Sequence, residues 1–368
     1  MTKIPKTPIL VIVFAPLFAL LFSNTTLPDS GIFHSMNEDF YHVSGRTFQN
    51  EKDELELISA ASQIEFISSK KTDLLLYTKG SYHAYVSIWV NGIEMDKYTV
   101  GSSDTTRIVL DHLKKNTHIK LIKDTEASTG VVVIKGIEVM SQLKKPKGRD
   151  RYIEFIGNSI TSAMGADTTD VPCGVGKWYD QHRASYSYGK LTADGLKADV
   201  VLNSVSGYGI YRNWNDENID EPTLPQVYDN LYLNQDRTIQ YQPKRTPDLI
   251  SICLGTNDLS RGDGIKTRLP FNFEKYVKTY TSFVQRLYDR DPDVKIVLLT
   301  SPMVGGNDAD LLKSALNEVK SVFREKHQIA VFEFRPITPT GCTYHPLIPE
   351  QKEMARQLVP FLNDFLNQ

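Results

Sequence analysis

The chain is expected to fold as two domains. Residues 33–145 form an all-β sandwich, and residues 151–368 form an α/β domain with a doubly wound, mainly parallel sheet. Three observations carry this expectation. Short β-branched or alternating runs, cut by turn residues, fill the first span without a long helical period between them. Apolar strands alternate with helical periods in the second span. Lys147-Gly148-Arg149-Asp150 marks the change of texture, and 368 residues leave room for two domains at about 100–200 residues each.

The β-runs are Leu55–Ile58, Gln63–Ile67, Leu74–Tyr77, Ala84–Val90, Arg107–Leu110, His118–Ile122 and Val131–Val139. Lys79-Gly80-Ser81 and Gly101-Ser102-Ser103 supply turns between them. Val90-Asn91-Gly92-Ile93 is a strong hairpin signal, because Asn-Gly tolerates the positive φ of a tight two-residue turn. In the second span the strands are Tyr152–Ile156, Val200–Leu202, Leu249–Leu254, Lys295–Leu299 and Ala330–Phe334. Glu274–Arg290 carries Val277, Tyr280, Val284, Leu287 and Tyr288 at helical intervals. Arg183–Leu196, Ala309–Glu325 and Glu350–Phe365 also read as helices. Pro360 is expected to kink or end the last of them, since an interior proline costs ~3 kcal/mol.

Formal charge is −2. The one basic cluster, Lys144, Lys145, Lys147 and Arg149, reads as a linker. A nucleic-acid partner is not expected without a concentrated basic face. Residues 1–23 read as an export signal: Lys3 and Lys6, then the apolar run Pro8–Phe22, then the small Ser23. The run is short and interrupted by proline, so stable membrane insertion after cleavage is not expected. An uncleaved anchor is the alternative. Cleavage after Ser23 would take the charge to −4 and leave a periplasmic or extracellular product. Of three cysteines, Cys253 lies within a strand as a small core residue. Cys173 and Cys342 are either free or paired in an oxidising compartment, and no metal-ligand spacing is present. No metal, nucleotide or flavin cofactor is expected.

Ligands of doubly wound sheets bind at the carboxyl ends of the strands. Three loops there carry chemistry. Tyr152–Ile156 runs into Gly157-Asn158-Ser159, a turn that lifts one hydroxyl above the sheet edge. Gly207 follows the second strand, and Leu254-Gly255-Thr256-Asn257-Asp258 follows the third. Far downstream stands Gly341-Cys342-Thr343-Tyr344-His345-Pro346. Serine is a poor nucleophile at neutral pH unless a base lies within hydrogen-bond reach. His345 is the candidate base for Ser159. The oxyanion formed by attack on an ester carbonyl needs preorganised donors. The N–H groups of Ser159 and Gly207 and the Asn257 amide are the candidates, with Gly209 an alternative to Gly207. Each loop alone also reads as an ordinary turn or helix cap.

In this order, Gly157-Asn158-Ser159, Ser204-Val205-Ser206-Gly207, Gly255-Thr256-Asn257-Asp258 and His345-Pro346 resemble the four blocks of the SGNH hydrolases. The resemblance implies Ser159 as nucleophile, Gly207 and Asn257 as oxyanion donors, and His345 as base. Asn158 stands where that family usually has aspartate. A narrower resemblance, carried by Leu224-Pro225-Gln226-Val227-Tyr228-Asp229 and Gly341–Pro346, is to carbohydrate esterase family 2. It implies a jelly-roll-like domain before a flavodoxin-like SGNH domain, and an acetylated polysaccharide or oligosaccharide as substrate. SGNH enzymes usually place aspartate three residues before the histidine, and here that residue is Cys342. The narrower resemblance implies a Ser-His dyad with a backbone carbonyl holding the histidine. A distant carboxylate is the other possibility.

Sugar rings present apolar faces to aromatic planes. Among the aromatics near these loops, Tyr344, Trp214 and Tyr208 are the candidate substrate contacts, whereas Tyr186 and Tyr188 read as core. Two alternatives to an acetylesterase remain: an SGNH lipase or thioesterase for longer acyl chains, and a carbohydrate-binding protein without activity.

Overall fold

The structure is a computed structural model that describes residues 31–215 and 221–368. The segment read as an export signal lies outside the described residues. Strands β1 (Ile32–Ser35), β3 (Thr47–Gln49), β4 (Leu55–Leu57), β6 (Thr72–Lys79), β9 (Thr106–Leu110) and β11 (Val131–Val139) form one antiparallel sheet. A second antiparallel sheet has the order β2 (His42–Ser44), β5 (Gln63–Ser68), β10 (Thr117–Lys123), β7 (His83–Val90), β8 (Ile93–Gly101). Leu57, Leu74, Leu76 and Ile134 from the first sheet share one buried cluster with Ile64, Phe66, Val86, Ile88 and Leu121 from the second. The expected hairpin joins β7 to β8, with Asn91 at φ 51° and Gly92 at φ 80°.

Three strands escaped the sequence reading, and a fourth, β8, was implied only by the hairpin turn. β1, β2 and β3 are three or four residues long and carry no period. β8 is an edge strand in which Lys97 breaks the alternation begun by Ile93-Glu94-Met95-Asp96.

The third sheet is parallel: β12 (Arg151–Gly157), β13 (Ala198–Ser204), β14 (Leu249–Cys253), β15 (Lys295–Leu299) and β16 (Ile329–Phe332), in the order 13-12-14-15-16. Its helices are α1 (Tyr188–Gly195), α2 (Leu224–Val227), α3 (Thr256–Leu259), α4 (Phe273–Arg290), α5 (Gly306–Phe323) and α6 (Ile348–Leu366). Because side chains of a strand alternate in direction, β14 sends Ile250 and Ile252 to one layer and Leu249 and Cys253 to the other. Tyr276, Tyr280, Phe283 and Leu287 of α4, with Leu312 and Leu316 of α5, meet the first pair. Tyr188 of α1 and Met354, Leu358 and Leu362 of α6 meet the second. The strand order reverses between β13 and β14, on either side of β12, and such switch points open a crevice at the carboxyl ends.

Two helix expectations need correction. The segment from Arg183 does not start as an α-helix: a 3-10 turn spans Ala184–Tyr186, and Ser187 then caps α1 by accepting the Gly189 N–H at 3.2 Å. Helix α6 continues past Pro360 to Leu366. Pro360 is exposed, so the carbonyl that loses its partner is open to solvent.

The antiparallel and parallel sheets are tied by buried polar groups. Arg46, fully enclosed beside β3, donates from Nε to Asn203 Oδ1 at 2.8 Å, and from its terminal nitrogens to the carbonyls of Asn230 and Tyr228 at 2.7 and 2.9 Å. Its guanidinium lies 3.8 Å from the Tyr241 ring centroid. The basic linker is anchored as well, since Arg149 pairs with Glu65 at 2.8 Å and Asp199 at 3.3 Å. Among the described residues no helix is long and apolar enough to cross a membrane.

Candidate active site

Ser159 sits where β12 ends. The chain turns sharply: Asn158 Oδ1 accepts the Ile160 N–H at 3.1 Å, and the carbonyl of Ser159 accepts the Met164 N–H at 3.0 Å. Thr161 closes the turn from below, since a side chain at Gly157 would overlap its hydroxyl. The nucleophile candidate is thus held by backbone bonds and steric fit rather than by a long helix.

His345 reaches Ser159 from the loop before α6. Its Nε2 lies 2.7 Å from Ser159 Oγ, although 186 residues separate the two. Its Nδ1 lies 2.9 Å from the carbonyl oxygen of its own neighbour Thr343 and 3.0 Å from the Thr343 hydroxyl oxygen. A carbonyl only accepts, so Nδ1 carries the proton and Nε2 is left to accept from serine. Among the described residues no carboxylate is hydrogen-bonded to His345. The turn that brings the carbonyl back is unusual, with Thr343 at φ 52° and Tyr344 at φ 60°. Single non-glycine residues in this region cost of order 1 kcal/mol or more and need a surrounding that enforces them. That surrounding is present. Cys342 N–H donates to Gly165 O at 3.1 Å, Gly341 N–H donates to His345 O at 2.8 Å, and Cys342 is disulfide-bonded to Cys173. The sequence left that pairing open. Burial holds the His345 imidazolium below the ordinary value, and the Thr343 carbonyl only partly offsets it. The imidazole is therefore a free base at neutral pH.

The three candidate oxyanion donors belong to residues that line one cleft with His345. Among the described residues the N–H groups of Ser159 and Gly207 have no internal acceptor. Gly207 has φ 82° and a side chain there would meet nothing within 4 Å, so the backbone conformation rather than crowding asks for glycine. Gly209 is otherwise engaged: its N–H donates to Asn213 Oδ1 at 3.2 Å. Asn257 Nδ2 gives one hydrogen to the Tyr208 carbonyl at 2.8 Å and keeps the second. Asp258, fully buried, accepts the N–H groups of Ile210, Tyr211 and Arg212 at 2.9–3.3 Å and so shapes the loop after Gly207. Burial pushes its carboxyl up to about 6 in spite of these donors.

The loops enclose a cleft of about 880 Å³. Ser159, Gly207, Asn257 and His345 line it together. Met164, Leu259, Met303 and Val304 add an apolar wall that the sequence did not single out, because these residues come from three separate segments, the loop after β12, the end of α3 and the loop after β15. Three aromatics stand on the rim, Trp178 49% exposed, Trp214 46% and Tyr344 82%. Tyr208 departs from expectation. It does not line the cleft; its ring packs against the core and its carbonyl serves Asn257. Tyr188 is core as expected, while Tyr186 donates its hydroxyl to Glu94 at 2.6 Å at the contact with β8. No group of three or more His, Cys, Asp or Glu is placed to hold a metal among the described residues.

Residues 155–357 match the model of the GDSL-like Lipase/Acylhydrolase family. The chain belongs to that family. Two curated relatives of this GDSL-like chain, both acetylxylan esterase/glucomannan deacetylases of Cellvibrio japonicus (strain Ueda107), are each 30% identical to it. The first match covers 60% of this chain and 61% of the relative, and the second covers 68% and 67%. The chain thus spans about three fifths of the length of the first relative. Among solved structures, a family two carbohydrate esterase from Cellvibrio japonicus superposes with a TM-score of 0.80 at 23% identity, covering 92% of this chain and 98% of that one. That structure therefore shares the fold over most of this chain, beyond the residues that match the GDSL-like model.

Proposed function

We propose that this protein is an exported serine esterase that removes acetyl groups from polysaccharide or oligosaccharide. The single observation that carries the reading is the 2.7 Å contact between Ser159 Oγ and His345 Nε2, with Nδ1 held by the Thr343 carbonyl. In the first step Oγ attacks the ester carbonyl carbon and its proton passes to Nε2. The carbonyl oxygen becomes an oxyanion that receives the N–H groups of Ser159 and Gly207 and the free hydrogen of Asn257 Nδ2. Collapse expels the sugar oxygen, which takes the proton from His345 and leaves an acyl-serine. Water, deprotonated by the same imidazole, attacks the acyl carbon, the bond to Ser159 Oγ breaks, Oγ takes the proton back from His345, and acetate leaves. The Thr343 carbonyl takes the place of the missing aspartate, fixing the tautomer and accepting from the imidazolium that forms.

The substrate class rests on the relatives' names and on the aromatic rim of Trp178, Trp214 and Tyr344, which suits the apolar faces of sugar rings. The antiparallel sheets are read as the jelly-roll-like module of family 2 carbohydrate esterases. A missing aspartate alone would suit a binding-only protein, and a carbonyl on Nδ1 favours an enzyme instead.

A second reading, a lipase for longer acyl chains, draws on the apolar wall of Met164, Leu259, Met303 and Val304. Kinetics on p-nitrophenyl acetate and octanoate separate the two. The expected result is a kcat/KM at least about tenfold higher for acetate, a few methylenes being worth this much in a fitted pocket. A preference for octanoate would transfer the assignment to the lipase. In the same assay the acid limb of kcat/KM is expected to have its midpoint below the 6.5 of a free imidazole, because burial disfavours the charged form of the base. A midpoint above 6.5 would point to a carboxylate acting on His345.

A further inference from the structure

The oxyanion loop is backed by a residue from outside the parallel-sheet region. Glu126 follows β10 of the second antiparallel sheet and is fully buried. Its two carboxylate oxygens accept the Ser206 N–H at 3.0 and 3.2 Å, and the Ser206 and Ser128 hydroxyls donate to the same group. The Glu126 backbone is itself pinned. Buried Lys123 donates from Nζ to the carbonyls of Thr125 and Glu126, at 2.8 Å each. His182, also fully buried, places Nε2 3.5 Å from Glu126 Oε2, near enough for an ion pair but not aligned for a hydrogen bond. On the far side of the loop, Trp214 N–H donates to Gly207 O at 2.8 Å and Asn257 holds the Tyr208 carbonyl. Ser206 and Tyr208 are thus fixed on either side of Gly207, whose own N–H is left without an internal partner.

We propose that Glu126 is a positioning residue that holds the Ser206–Gly207 peptide so that the Gly207 N–H faces the substrate oxyanion. The inference rests on the reading of Gly207 as an oxyanion donor. It gives the antiparallel sheets a part in the reaction itself, since one of their loops sets a donor of the hydrolase site. A carboxylate suits the task because two oxygens with about four lone-pair sites can serve an N–H and two hydroxyls at once. Burial opposes its ionisation, but His182 and the serine hydroxyls outweigh that and hold the carboxyl down to about 2. The acceptor is therefore charged across the working pH range. Its charge does not face the substrate, for Glu126 does not line the cleft.

The test is kinetics of Glu126→Gln and Glu126→Ala in the full chain on p-nitrophenyl acetate, with Ser159→Ala alongside. For the parent and the Glu126 variants kcat is expressed per serine labelled to completion by a fluorophosphonate, so a misfolded fraction drops out, and for Ser159→Ala, which has no serine to label, per mole of protein. Losing one oxyanion donor costs on the order of 10²–10³ in kcat, and Glu126→Ala is expected to lose roughly 10² with little change in KM. Glu126→Gln keeps one acceptor and the side-chain shape, and is expected to lose roughly tenfold. The loss must persist on the alkaline plateau of the pH profile, where His345 is fully deprotonated. A loss that vanishes on the plateau would mean that Glu126 acts through the imidazole, and would overturn the proposal. An unchanged or raised kcat in Glu126→Gln would overturn it too, even if the alanine variant failed to fold. If Ser159→Ala were active, the esterase reading itself would fall; if Ser159→Ala were dead and both Glu126 variants fully active, only this inference would.

Discussion

Replacing Ser159 with alanine is expected to lower kcat on p-nitrophenyl acetate by a factor on the order of 10⁵–10⁶, the scale seen when a serine hydrolase loses its nucleophile or its base. His345→Ala should cost about as much. The two groups act as one unit, linked at 2.7 Å, so the double variant should fall no further than either single one. What remains would come from binding and the oxyanion donors alone. Neither change should unfold the protein, because Ser159 Oγ makes no hydrogen bond except to His345 among the described residues and His345 lies at the cleft. Activity of Ser159→Ala within a hundredfold of the parent would remove the serine from the mechanism.

Asn257→Ala is expected to lower kcat by roughly 10²–10³, with KM little changed, since the lost hydrogen bond is made to charge that exists only in the transition state. Asn257 also donates to the Tyr208 carbonyl, so some of the loss could enter through the loop. Asn257→Asp separates the contributions. It keeps the shape but replaces a donor by an anion that would repel the oxyanion, and its kcat should fall at least as far as that of the alanine variant. Retained activity in Asn257→Asp would mean that this side chain does not face the developing charge.

Much of this site could be read from the sequence because its parts are local. Gly157-Asn158-Ser159 and Gly255-Thr256-Asn257-Asp258 each follow an apolar strand, and the parallel fold carries every such loop to one edge. Strands with an alternating or continuous apolar pattern were found; β8, charged and at an edge, was implied only by its hairpin turn. What escaped was set by contacts distant in sequence. Whether Cys342 is free or paired with Cys173 stayed open until the fold brought the two together across 169 residues. Tyr208 looked like a sugar platform from its place beside Gly207, but neighbouring residues in a turn point different ways, and its ring turns inward. The wall residue Met303 and the buried Glu126 carry no motif, since their positions follow only from packing. Pro360 does not end helix α6, because propensity is overridden where the exposed face leaves a lost partner open to solvent.

The Thr343 carbonyl that steadies the imidazole belongs to the main chain, and no change of side chain can delete a peptide oxygen. In an ordinary triad one base change can abolish the acid; here the same duty is spread over every bond that keeps residues 341–345 folded back on themselves. Point substitutions should seldom silence this member of the machinery outright. Its vulnerability lies in loop length, where one inserted or deleted residue would swing the oxygen away and leave all the side chains intact.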